Sequence, residues 1–137
     1  MEDLQKARNL LDAEGYTCVL RKGDCLHTSR RRGVQPLMEL LGEDLSGFSA
    51  ADKVVGKATA LLYCLLKVKA VYAAIISEAA LEVFSKNGIP VQWEQKVPFI
   101  VNRDGTGRCP MELATEHISD PALAPDAICR KLEELKG

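Results

Sequence analysis

The run Ala70-Val71-Tyr72-Ala73-Ala74-Ile75-Ile76 constrains this chain more than any other segment. It has the length of one strand and no polar side for water, so it needs cover on both faces. That demands a sheet with helices on either side. Ser77 stands where a helix cap is wanted, before a helix predicted over Glu78 to Lys86 and ended by Asn87-Gly88. A further strand, Val91 to Lys96, starts after Pro90. Strand, helix and strand in succession imply a parallel crossover, hence an α/β chain.

The remainder is read outward from this unit. Leu4, Ala7, Leu10 and Leu11 form one stripe of a helix over Asp3 to Glu14, with Gly15 as its stop. Tyr16 to Arg21 and Asp24 to Ser29 read as a hairpin about Lys22-Gly23. Arg30-Arg31-Arg32-Gly33 breaks the pattern, and a short helix from Val34 ends at Gly42. After the loop Ser46-Gly47-Phe48, helical periodicity predicts one long helix from about Ala50 to Leu66. Phe99 to Val101 reads as extended, Asn102 to Gly107 as a loop, and Pro110 as the start of a helix to about His117. A last helix follows Ser119-Asp120-Pro121 and runs to Lys136, its inner face carrying Ile128, Leu132 and Leu135. The expected order is α-β-β-α-α-β-α-β-α-α in a single domain, 1–137, with no internal repeat.

The balance of 18 basic and 19 acidic residues, with 47% apolar residues, excludes a disordered chain and a strongly basic nucleic-acid binder. The longest apolar run, Ala58 to Leu66, is too short to span a membrane. The acidic start Met1-Glu2-Asp3 does not read as a secretory signal, so the expected location is the cytoplasm. Five cysteines, Cys18, Cys25, Cys64, Cys109 and Cys129, include no Cys-x-x-Cys and read as reduced thiols. Cys25-Leu26-His27 is the nearest approach to a zinc ligand pattern, and His117 is the only other histidine. No metal and no cofactor are expected.

Three segments carry candidate chemistry. In Ser49-Ala50-Ala51-Asp52-Lys53-Val54-Val55-Gly56-Lys57, Asp52 reads as the far half of a capping box begun by Ser49. Lys53 and Lys57, four apart on the expected helix, would repel each other by about 0.2–0.5 kcal/mol and oppose the helix dipole. Either acidic neighbours offset this, or both ammonium groups face an external anion such as a phosphate. Gly56 between them costs about 1 kcal/mol in a helix interior and would let a ligand approach closely. In Asn102-Arg103-Asp104-Gly105-Thr106-Gly107-Arg108-Cys109-Pro110, the glycines permit a turn whose amides form an anion nest. Pro110 makes Cys109 the expected cap residue. A thiol there, near Arg103 or Arg108 with Asp104 or Glu112 at hand, is the candidate nucleophile. The bland alternative for this segment is turn chemistry alone. Arg21, Lys22 and Arg30-Arg31-Arg32 concentrate positive charge, but no aromatic residues interleave, so a solvated loop is the favoured reading.

Together, Gly33-Val34-Gln35-Pro36-Leu37, Ala51-Asp52-Lys53-Val54-Val55-Gly56-Lys57-Ala58 and Asn102 to Glu112 resemble a family of small prokaryotic proteins of unknown function with a cytidine-deaminase-like fold. The resemblance runs from about Tyr16 to the last helix. It implies a three-layer α/β/α sandwich on a mixed sheet of four to five strands, and deaminase-like folds often form dimers. Zinc deaminases place His-x-Glu or Cys-x-Glu at the first helix after the hairpin and Pro-Cys-x-x-Cys at the next crossover. The corresponding segments here, Asp52-Lys53-Val54 and Ser77-Glu78-Ala79-Ala80, supply neither thiol nor imidazole. The expectation is a binding module for a nucleotide or other phosphorylated ligand. Asp52, Lys53, Gly56, Lys57, Asn102, Arg103, Asp104, Gly105, Thr106 and Gly107 form its site, and a Cys109 enzyme or a homo-oligomer subunit is the alternative.

Overall fold

The computed structural model describes residues 2–31, 33–102 and 105–136. Its elements are α1 (Glu2–Glu14), β1 (Cys18–Lys22), β2 (Cys25–Ser29), α2 (Gln35–Glu39), β3 (Ser49–Val55), α3 (Lys57–Leu66), β4 (Ala70–Ser77), α4 (Glu78–Lys86), β5 (Val91–Val97), α5 (Pro110–Ala114) and α6 (Ala124–Lys136), with a 3-10 turn at Pro121–Leu123. The strands form one mixed sheet of five, in the order β2-β1-β3-β4-β5. β1 runs antiparallel to both β2 and β3, whereas β3, β4 and β5 are parallel.

Each local choice has a cause. The hairpin register pairs Lys22 with Cys25, leaving Gly23-Asp24 as the turn, and Gly23 takes a left-handed φ of +58° that a side chain would oppose. Ser77 caps α4 by accepting from the Ala80 amide at 3.2 Å. β4 sits between two parallel neighbours, as its unbroken apolar sequence requires.

Side chains alternate between two cores. Val19, Ala51 and Tyr72 face α1 and meet Leu4, Ala7 and Leu11. Leu20, Ala50, Val71 and Ala73 face the other way, against a larger core built from α3, α4 and α6. Small residues at Ala50 and Ala51 bring helices close to the middle of the sheet on both sides. On the α1 side, the Arg8 guanidinium lies 4.5 Å from the Tyr72 ring centre and pairs with Glu94 on β5.

The expected long helix from Ala50 to Leu66 is corrected. Ser49–Val55 is a strand and only Lys57–Leu66 is helical, so the first half of that segment becomes β3. Small and charged residues there suit a helix in isolation. Pairing on both edges, with β1 and with β4, overrides that propensity. Gly56 marks the boundary as the residue that caps α3, with an ordinary extended backbone.

α3 ends on Lys67, which adopts a left-handed φ of 61° and donates its amide to the Cys64 carbonyl at 3.1 Å. Glycine holds that conformation without the Cβ penalty. Lys67→Gly is expected to stabilise the protein by about 0.5–1 kcal/mol, read as a higher midpoint in urea unfolding.

Candidate functional site

Two places bring chemistry-bearing side chains together, both on β3 or its junction with α3. The first is interior. Antiparallel register sets Asp52 on β3 opposite Cys18 on β1, and Tyr63 reaches them from α3. The Tyr63 hydroxyl donates to Asp52 Oδ2 at 2.6 Å, and the Val54 amide donates to Oδ1 at 3.2 Å. With the Tyr63 proton directed at Asp52, the Cys18 thiol 3.3 Å away is left to donate to the Tyr63 oxygen. Burial pushes the Asp52 carboxyl up to about 7, against the opposing pull of Tyr63 and the backbone amides. Burial, followed by the Asp52 charge, drives both the Tyr63 phenol and the Cys18 thiol well above their usual ranges. Neither is a nucleophile at neutral pH.

The second place lies where the carboxyl end of β3 meets α3. Ile100 and Glu112 fold back over it, so that a Cβ added to Gly56 would stand 2.9 Å from Glu112 Oε1 and 3.1 Å from Ile100 Cγ1. Glu112, only 3% exposed, accepts from the Ile100 amide through Oε1 at 3.2 Å. Its other oxygen takes no hydrogen bond among the described residues. A buried carboxylate therefore lies at the amino end of a helix whose first turn carries no acidic side chain of its own.

The expected site residues divide between these places and others. Asp52 is interior and does not cap a helix. Lys53 lies on β3, where its amide donates to the Thr17 carbonyl at 3.0 Å, and its side chain is exposed. Lys57 opens α3 and donates through Nζ to the Glu116 carbonyl at 2.9 Å. The two lysines thus never share a helical face, because a strand and a helix cannot keep the i,i+4 relation. The amides of Gly105 and Thr106 both donate to Asn102, to its carbonyl at 3.1 Å and its side-chain oxygen at 3.0 Å. Gly107 accepts from the Asn102 amide, which makes the loop a self-closed turn. Arg103 and Asp104 lie outside the described residues.

Cys109 is the residue that caps α5, as the Pro110 spacing predicts, but its thiol makes no capping hydrogen bond and the helix is only five residues long. Two surface hollows are bounded by none of these residues. One, about 440 Å³, lies between the 42–46 loop and the end of α3; the other, about 50 Å³, lies between α1 and Gln92.

The basic residues of the hairpin region are met by the chain itself. Arg30 lies 4.4 Å from the Tyr16 ring centre and donates to the Glu14 carbonyl, and Arg31 pairs with Glu39. Arg32 lies outside the described residues. The parts of Tyr63, Cys18 and Ile100 were invisible in the sequence, since only strand register and chain return bring them to Asp52 and Gly56.

The mixed five-stranded α/β fold has a counterpart among known structures. The chain belongs to the family described as TM1506, domain of unknown function (DUF1893), whose model matches residues 6–132. It is similar to the crystal structure of a DUF1893 family protein (TM1506) from Thermotoga maritima, with 25% sequence identity and a TM-score of 0.87 over 95% of this chain and 90% of that one. No curated protein matches.

Asp52 makes stability depend on pH in a definite sense. Its carboxyl is raised from 3.8 to about 7 in the folded state, so the folded protein holds a proton that the unfolded chain releases. Stability is greatest below about pH 4 as far as this group is concerned, falls as pH rises toward 7, and then levels. The full fall is on the order of 4 kcal/mol. Urea unfolding between pH 4 and 8 should show this slope, and Asp52→Asn should flatten it. Gly56→Ala is expected to cost about 1–3 kcal/mol through overpacking, and Gly56→Ala with Glu112→Ala less than the sum of the two single changes.

Proposed function

We propose that this protein is a cytoplasmic, non-zinc, non-deaminating binding module for a nucleotide or a related phosphorylated ligand, on a cytidine-deaminase-like three-layer scaffold. The ligand sits beyond the carboxyl ends of β3 and β4, the position favoured for ligands in open α/β sheets. The observation that carries this reading is Glu112: a buried carboxylate at the amino end of α3 with one oxygen held by Ile100 and the other left to accept from a donor. A base amine or sugar hydroxyl supplies such a donor. Lys57 commits one of its three protons to Glu116 and keeps two for a phosphate, with exposed Lys53 nearby along the chain.

Zinc-dependent deamination does not fit these residues. The β3–α3 junction is Gly56-Lys57-Ala58 and the β4–α4 junction is Ser77-Glu78-Ala79-Ala80, without thiol or imidazole at either. Among the described residues no three His, Cys, Asp or Glu side chains are grouped to hold a metal ion. Among the described residues no helix is long and apolar enough to cross a membrane.

Thermal unfolding in the presence of adenosine, cytidine, guanosine and uridine mono-, di- and triphosphates, with inorganic phosphate as comparison, tests the reading. A nucleotide at about a hundred times its Kd should stabilise the fold by about 2.7 kcal/mol. Glu112→Gln and Lys57→Ala should each weaken that response at least severalfold. No shift with any nucleotide, or a shift that both variants retain in full, overturns it.

A further inference from the structure

β5 closes one side of the sheet and, among the described residues, has no strand neighbour other than β4. The Val71 amide donates to the Pro90 carbonyl at 3.0 Å, which fixes the phase of the parallel ladder. In that phase the backbone groups of Gln92, Glu94 and Lys96 turn toward β4, and those of Val91, Trp93, Gln95 and Val97 turn outward. Among the described residues nothing hydrogen-bonds to the outward groups. The strand is seven residues long, carries one acid and one base, and leaves Trp93 44% exposed. Folded proteins usually shield such an edge by shortness, charge or cover.

We propose that the occupant of this edge is the β5 strand of a second copy of the chain, antiparallel about a two-fold axis at Gln95. The charge pattern of the strand selects this register. Outward groups bond only when an odd-numbered residue faces an odd-numbered one, which leaves three central alignments. Placing the axis at Glu94 sets Glu94 against Glu94, an unfavourable like-charge pair. Placing it at Trp93 sets Glu94 opposite Gln92 and Lys96 opposite Pro90, pairing no charges. With the axis at Gln95, Glu94 of each copy faces Lys96 of the other, twice over. Those are the non-hydrogen-bonded positions, where side chains are closest. Trp93 then faces Val97 on the opposite side of the sheet, also twice. Arg8, which already pairs with Glu94, extends each charge pair toward α1. The contact is self-complementary, as a two-fold dimer requires, and joins two sheets into one of ten strands.

Sedimentation equilibrium on the full chain tests this without any ligand, so its outcome is separate from that of the binding reading. The wild type should sediment as a dimer, at twice 15.0 kDa. Lys96→Glu and Glu94→Lys should each weaken dimerisation at least tenfold, and the double exchange Glu94→Lys with Lys96→Glu should restore it. Circular dichroism should show all three variants folded, since both side chains are exposed. A monomeric wild type at about 100 µM, far above the Kd of a standard interface, overturns the proposal. So does a dimer indifferent to the single exchanges, or one that the double exchange fails to restore.

Discussion

β3 joins the two halves of this protein, and the hydrogen bond from Tyr63 to Asp52 anchors it from within. On one side of β3 lies an antiparallel hairpin; on the other lies a parallel βαβαβ unit. Within the sheet, the two halves are hydrogen-bonded to each other only through these seven residues. A carboxylate in the middle of such a strand is costly unless it is hydrogen-bonded. Tyr63 from α3 and the Val54 amide meet that need, while Cys18 from β1 completes the chain. β1, β3 and α3 are thereby tied together through one chain of hydrogen bonds.

The same physics places a second carboxylate at the end of the strand. Gly56 leaves α3 without a side-chain cap, and the vacancy at its Cβ is filled by Glu112 and Ile100 from a segment more than forty residues later. The negative charge at the amino end of α3 thus comes from within the chain. Lys57 is correspondingly turned toward a backbone carbonyl. The site is organised around a buried acceptor with a lysine beside it, and a ligand would need a hydrogen-bond donor as well as a negative charge. Similarity to the Thermotoga maritima structure supports the architecture and assigns no ligand.

Much of the fold was legible in local pattern. β4, α4 and its Ser77 cap, the hairpin, α1 and α6 all follow from apolar spacing and from residues that stop or start elements, because each expresses its period within its own segment. β3 was not legible. Ser49-Ala50-Ala51-Asp52-Lys53 has no alternation, since it is buried by small residues on both faces, and it runs into a true helix at Gly56. The glycine was the available signal. Its cost inside a helix argues for a boundary at that point, and Val54-Val55 before it suits a strand.

The amino-acid sequence by itself determined the α/β class, the parallel unit around Ala70 to Ser77, and the turn chemistry of Gly23. These depend on side-chain period and on backbone freedom, which are properties of neighbouring residues. Tertiary structure decided that Ser49–Val55 is a strand, that Asp52 lies inside against Tyr63 and Cys18, and that Glu112 lies against Gly56. Those outcomes depend on which segments pair and return across the sheet, so their energies belong to contacts between residues far apart in the chain.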